Sequence, residues 1–282
     1  MTAIEFDRVC RDFATPDGRP YRALDEISFA VTAGSFVAIV GPSGCGKSTL
    51  LNIAAGLLTP SSGRLFVGEP PAELQGLNTN ATYMFQQDAL LPWKTVRANV
   101  ALGLTLGGVA RPEAHARADA WLERVGLAAF AAHYPSKLSG GMRKRVAMAQ
   151  NWIIDRGTLL MDEPFSALDV HTRLRMETEL LTLWEGEKNQ GEPASPASRE
   201  RKTVLFVTHD LEEAIALADE VIVLSAGPAA RVVARHRVTL DRPRDLMELR
   251  TSPAFVDLYG AIWVVLREEV IKSQRSAEAS RG

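Results

Sequence analysis

Hydrophobic and polar positions alternate with two different periods along this chain. "IEFDRV" and "EISFAV", near the N-terminus, alternate apolar and polar residues, the period of half-buried strands. "SFVAIV", 35–40, is a short apolar strand that ends at Gly41. "STLLNIAAGLL" then reads as a helix, stopped by the turn cluster Thr59-Pro60-Ser61-Ser62-Gly63. "GRLFVG" and "ATYMF" are further strands. From about Asp88 to Gln150 alanine-rich helical patterns such as "PEAHARADAWLERVGL" take over. Strands resume with "GTLLMD", "KTVLFVT" and "EVIVLS", separated by helical stretches. Apolar strands alternating with helices predict an α/β fold: a mainly parallel sheet covered by helices, an N-terminal antiparallel β part, and a helical subdomain at about 88–150.

Two segments stand apart from this pattern. Residues 186–201 are rich in Gly, Pro, Ser and charge, and cannot bury enough surface to offset their ordering entropy. They are expected to form a mobile surface loop. In the tail, Phe255, Leu258, Tyr259, Ile262, Trp263, Leu266 and Val270 fall at helical spacing. This amphipathic helix belongs to a C-terminal extension, 227–282, that follows a main unit of 1–226. It either packs on its own domain, the favoured reading, or faces a membrane or partner.

Composition narrows the class only a little. Hydrophobic residues make up 46% and charged residues 23%, ordinary for a globular protein, and the formal charge is −2. A generally basic nucleic-acid surface is not indicated. Arg143, Lys144 and Arg145 read as a solvated helix face. No apolar run reaches the length of about 18 residues needed to span a membrane, and the N-terminus has no apolar signal core. The chain is expected to stay in the cytoplasm. Cys10 and Cys45 read as reduced thiols.

The chemistry begins at "GPSGCGKST": Gly41, Pro42, Ser43, Gly44, Cys45, Gly46, Lys47, Ser48 and Thr49. The pattern G-x-x-x-x-G-K-[ST] wraps backbone N–H groups around phosphate oxygens. Lys47 adds charge near the β- and γ-phosphates, the Ser48 hydroxyl suits Mg2+, and the following helix offers its positive end. The motif follows a strand and opens a helix, as a P-loop NTPase core of the RecA-like type requires. Cys45 is expected to contribute its backbone N–H, not a catalytic thiol. "TLLMDEP", 158–164, is a buried strand with Asp162 at its C-terminal end, where open α/β sheets bind ligands. Asp162 can hold the Mg2+ shell, and Glu163 can position or deprotonate an attacking water.

"KLSGGMRKR", 137–145, raises a separate question, because it is a second phosphate-reading element. Ser139 offers a hydroxyl, Gly140 and Gly141 allow close backbone approach, and the helix that follows favours a negative charge. Taken alone it reads more readily as a simple capped helix.

Together the 41–49 loop, "LSGGM" 138–142, "LLMDEP" 159–164, "SALD" 166–169 and "TH" 208–209 resemble the ATP-binding subunit of an ABC transporter, in order and spacing, from about residue 4 to residue 226. The resemblance implies a head-to-tail dimer. Each ATP would sit between the phosphate loop of one copy and the "LSGG" of the other. It also implies roles by position. Gln86 would contact Mg2+ and the attacking water, His209 would sense the γ-phosphate, and Asp169 would couple the two sites across the dimer. Phe13 lies where the family stacks an aromatic ring on adenine, although it could equally be core. Met142 stands where a Gln is usual. Methionine donates no hydrogen bond, and Met142→Gln is expected to change ATPase activity by less than about tenfold, roughly 1.4 kcal/mol.

Residues 84–104 and 242–270 are similar to the importer group for nitrate, sulfonates, taurine and related small solutes. That similarity implies ATP and Mg2+ as cofactors, transmembrane permease subunits as partners, indirectly a solute-binding protein, and a peripheral place on the cytoplasmic face of the membrane. No nucleic-acid partner is expected. Trp93 in "LPW" lies near the groove for a permease helix, or packs within the domain. The rival readings are a nucleic-acid or ribosome ATPase of the same superfamily, an ABC transporter subunit for a different class of solute, and a P-loop kinase.

Overall fold

The structure, a computed structural model, describes residues 1–16, 18–68, 70–186 and 201–279. The expected mobile loop 186–201 lies outside the described residues except for Gly186 and Arg201 at its ends. Strands β1 (Thr2–Ala14) and β2 (Pro20–Thr32) form a long hairpin. β3 (Phe36–Val40) leads through the phosphate loop into helix α1 (Lys47–Ala54), followed by β4 (Ser62–Val67), β5 (Ala72–Glu73) and β6 (Ala81–Met84). The helical part contains α2 (Val96–Val100), α3 (Leu102–Leu106), α4 (Arg111–Arg124) and α5 (Gly140–Trp152). The chain then alternates through β7 (Thr158–Asp162), α6 (Val170–Glu185), β8 (Thr203–Val207), α7 (Leu211–Leu217), β9 (Glu220–Leu224) and β10 (Val232–Arg237). It ends with α8 (Leu246–Leu249) and α9 (Pro253–Ala279).

The first sheet is antiparallel, in the order β2-β1-β4-β5. The second runs β10-β9-β3-β8-β7-β6, parallel except for β10. Along β3, Phe36, Ala38 and Val40 join one core, while Val37 and Ile39 join another. This is the period of two expected of a strand covered on both faces. One face packs against α6, α7 and α9 through Met176, Leu180, Ile215 and Ile262. The other packs against α1 and the antiparallel sheet through Leu50, Leu51, Phe6 and Ile27. The helical part has its own core around Val100, Ala118, Leu122 and Val146.

Helix α1 ends earlier than the turn cluster suggests. Gly56 follows it at φ +70°, and a Cβ there would lie 1.9 Å from the Gly76 carbonyl oxygen, so the backbone needs glycine at that point. The C-terminal segment is tied to the core. β10 pairs with β9, and Phe255, Ile262 and Leu266 of α9 are buried in the main core, while Trp263 is on the exposed side. Arg244 is buried and donates to the carbonyls of Ile215, Ala216 and Ala218, where α7 ends and leaves them without helical partners.

Two carboxyls are buried where α6, α7 and α8 meet. Glu177 lies 2.6 Å from the Arg250 guanidinium, and Glu213 accepts a 2.6 Å hydrogen bond from the Thr208 hydroxyl. Burial pushes each carboxyl up to about 7, and around Glu213 the charges of Glu177 and Asp210 add to the effect while Arg173 opposes it. From an unfolded value of 4.5 up to about 7 the folded chain therefore keeps protons that the unfolded chain releases. Stability is greatest below that window and falls as pH rises through it. Glu213→Gln removes one such proton, so the slope of unfolding free energy against pH should flatten by up to about 1.4 kcal/mol per unit. Urea midpoints measured from pH 4.5 to 7.5 check this, and an unchanged slope would contradict it.

A candidate nucleotide site in two halves

Strands β3, β8, β7 and β6 lie side by side and parallel, so their C-terminal ends open on one edge. Gly41 follows β3, Thr208 and His209 follow β8, Asp162 closes β7 with Glu163 next, and Phe85 and Gln86 follow β6. Residues far apart in sequence are gathered there by strand order.

In the phosphate loop, Gly44 and Gly46 sit at φ +77° and +93°. Gly46 caps α1, and a Cβ on it would stand 2.7 Å from Leu24 Cδ2. Lys47 is buried, and its ammonium donates to the carbonyls of Gly41 (2.8 Å) and Pro42 (3.0 Å), folded along its own loop. The Ser48 hydroxyl donates to Asp162 Oδ1 at 2.9 Å and the Tyr83 hydroxyl to Oδ2 at 3.3 Å. Burial pushes the Asp162 carboxyl up. Its hydrogen bonds come from neutral hydroxyls, so the Ser48–Asp162 oxygen pair fits a hard divalent cation. Cys45 is fully buried, burial pushes its thiol up, and its N–H donates to Pro42 O at 3.3 Å. It is not an activated nucleophile.

A cavity of about 290 Å3 lies over this loop, walled by Ser43, Ser48 and Thr49, with Glu163 on one side and Phe13 and Tyr21 on another. Phe13 and Tyr21 stand directly opposite each other in the β1–β2 hairpin. The sequence points to Phe13 but not to Tyr21; the two fall into register only because the bulged hairpin pairs them.

Glu163 has φ +42°, a costly conformation for a residue with a side chain. The fold holds it there. Its N–H donates to Val207 O (2.9 Å), and its carbonyl accepts from the Ser166 hydroxyl (3.0 Å). Gln86 Nε2 donates to Ser166 Oγ at 3.3 Å, and Glu163 Oε2 lies 3.1 Å from His209 Nδ1. Gln86, Glu163 and His209 are thus brought together, with Ser166 as the link. Nothing in "SALD" marks Ser166 for that role, and nothing in "ATYMF" marks Tyr83 as a partner of Asp162.

The second group is elsewhere. Ser139 caps α5, its hydroxyl accepting from the Met142 N–H (3.3 Å). Asp169 caps α6, its carboxylate accepting from the Thr172 N–H (3.0 Å), and that bond holds it below the usual carboxylate range. A Cβ on Gly141 would stand 2.7 Å from Thr172 Cγ2, so the two helix starts are in close contact. Ser139, Gly140, Gly141, Asp169 and Thr172 line a cavity of about 270 Å3 that shares no residue with the phosphate-loop cavity. Met142 also lines it and packs against the core of the helical part.

The basic run is not the solvated face that the sequence suggests. Arg143 donates to Leu138 O and to Asp88, Lys144 to Gln86 O and Asp88, and Arg145 to Val125 O. Helix α5 crosses between β6 and the helical part, so this side of it faces protein. Trp93 is 71% exposed, which rules out ordinary packing as its place. Among the described residues no helix is long and apolar enough to cross a membrane.

A parallel-sheet core with a phosphate loop, strand-end carboxylates and a helical insertion defines a P-loop nucleotide-hydrolysing cassette. The chain belongs to the ABC transporter family, whose sequence profile matches residues 24–166. It is 41% identical to a taurine import ATP-binding protein of Rhizobium johnstonii over 93% of this chain and 96% of that one. It is 38% identical to a nitrate import ATP-binding protein of Synechococcus elongatus over 90% of this chain and 88% of that one. A bacterial ABC transporter cassette solved as a dimer superposes with a TM-score of 0.69 at 29% identity, covering 84% of this chain and all of that one. The family's activity is ATP hydrolysis, and this chain is an ATPase of it.

Proposed function

We propose that this chain is the ATP-hydrolysing subunit of an importer and works as a head-to-tail pair of copies. The observation that carries the reading is the division of the site. The phosphate-loop cavity and the Ser139–Asp169 cavity share no residue, so one chain offers two half-sites to two different nucleotides. A dimeric neighbour of the same family supports the pairing. Loop residues Gly41 to Thr49 would hold the phosphates of ATP, with Lys47 turning from its own carbonyls to the β- and γ-phosphates. Ser48, Asp162 and Gln86 would hold Mg2+, which supplies charge neutralisation at the phosphates. Glu163 would orient and deprotonate water, His209 would contact the γ-phosphate, and Phe13 would stack on adenine, with Tyr21 beside it. Ser139, Gly140 and Gly141 would complete the twin's nucleotide site, and Asp169 would couple the two.

ATP favours closure only through contacts that exist in the closed pair. Closure would pull on permease subunits at the membrane, and hydrolysis would release it. The groove between the sheet and the helical part, about 530 Å3 and lined by Leu57, Phe85, Leu106 and Ala147, is an apolar seat for a permease helix, and the exposed Trp93 would add to that contact. The solute is a small anionic or organosulfur or nitrogen compound, as the taurine and nitrate relatives suggest. These relatives favour neither the nucleic-acid nor the kinase alternative. Detergent extraction of membranes followed by pull-down on this chain should recover a multi-span permease. Recovery of the chain only from the soluble fraction, under conditions that preserve ATP binding, would overturn the reading.

A further inference from the structure

Lys144 is 4% exposed, although it lies in a run of three basic residues. Burying an ammonium is costly unless oxygens surround it. Here every oxygen comes from the segment after β6. Its Nζ donates to the carbonyls of Gln86 (2.5 Å) and Phe85 (3.5 Å) and lies 3.1 Å from Asp88 Oδ1. Arg143 grips the other oxygen of the same carboxylate at 2.9 Å and also donates to Leu138 O at 2.8 Å, directly before Ser139. Asp88 is therefore held by two successive cations of α5. The two segments so joined serve different nucleotides in the dimer proposed above: Gln86 faces the chain's own, Ser139 the twin's. Both also line the apolar groove, through Phe85 and Ala89 on one side and Ala147 and Gln150 on the other.

We propose that Lys144, with Arg143 and Asp88, is a clamp that makes the Gln86 segment and the Ser139 helix move as one body. Lys144 is a positioning residue: it touches no nucleotide and acts through Gln86 and Ser139. Anything that seats in the groove then shifts both together, and the two nucleotide sites of a dimer are brought into alignment in one step. A helix start and a loop joined only by apolar contact could slip against each other. Two cations sharing one carboxylate, with backbone carbonyls fixed to the same ammonium, cannot do so without stranding a buried charge.

This inference rests on the shared-site dimer proposed above, and the experiment separates the two. Full-length Lys144→Met and Asp88→Asn chains are compared with wild type in steady-state ATPase assays with Mg-ATP. Each should lower kcat by about tenfold while the KM for ATP stays within about twofold, because binding at the phosphate loop is untouched. The double variant should be no slower than either single one, since both break the same clamp. Lys144→Arg, which keeps the cation, should recover most of the loss. If kcat is unchanged in folded single variants, or if the double variant multiplies the losses to about a hundredfold, the clamp is wrong. If Lys144→Met does not fold, the kcat and KM of Asp88→Asn alone decide. Failure of the dimer reading would show differently, in wild-type turnover strictly proportional to protein concentration.

Discussion

A Glu163→Gln chain should hydrolyse ATP at least about a hundredfold more slowly than wild type, the usual cost of removing one preorganised group. With Mg-ATP it should also accumulate as a dimer. Glutamine has nearly the same shape, and the backbone that holds position 163 at φ +42° is fixed by Val207 and Ser166, not by the side chain. The substitution removes the carboxylate beside His209, and with it the group able to accept a proton from water. Nucleotide binding at Lys47 and Ser48 is left in place. In the head-to-tail pair proposed above, ATP that is bound but not cleaved would keep its cross-dimer contacts. Phosphate release and size-exclusion chromatography with and without Mg-ATP measure the two effects. Wild-type turnover in this variant would show that Glu163 has been given the wrong role.

Ser139→Arg should have an equally large effect on turnover and almost none on nucleotide affinity. The two cavities share no residue, so a bulky cation at Ser139 leaves the chain's own phosphate loop intact. The affinity of the isolated chain for ATP should stay within about threefold, less than 1 kcal/mol. Turnover should fall by about a hundredfold or more, because in the proposed pair the twin's nucleotide would lose its second set of donors. Loss of the cap on α5 costs about 1 kcal/mol of helix stability, which thermal unfolding registers separately. Lys47→Ala is the contrast, since it should lose ATP binding itself. Undiminished turnover in Ser139→Arg would mean that one copy suffices.

Much of the site is legible in the amino-acid sequence. The phosphate loop, the Asp162–Glu163 pair and the Ser139 cap are local: adjacent residues with fixed spacing, whose chemistry does not depend on distant parts of the chain. The strands are legible for a related reason, since a strand buried on both faces is built mainly of apolar residues, as β3 is along its whole length and β8 is from Val204 to Val207. Where the sequence misleads, neighbours in space are the cause. Arg143, Lys144 and Arg145 look like a solvated face because charge is usually solvated. Only the approach of the Gln86 segment, Leu138 and Val125 supplies the oxygens that draw them inward. Tyr21, Tyr83 and Ser166 escape notice because an aromatic in a strand or a serine in a turn carries no signal of its own.

The sequence by itself determined the chemistry of this protein: which residues can cradle phosphate, hold a cation or activate water, and the alternation of strands and helices that carries them. Tertiary structure decided which of those residues meet. Strand order set Gln86, Glu163 and His209 on one edge, and the contact between the starts of α5 and α6 placed Ser139 and Asp169 in a separate cavity. The physical reason is range. Backbone conformation and side-chain chemistry are set within a few residues, whereas register between strands and the burial of a charge depend on groups far along the chain, whose positions follow only from the packed core.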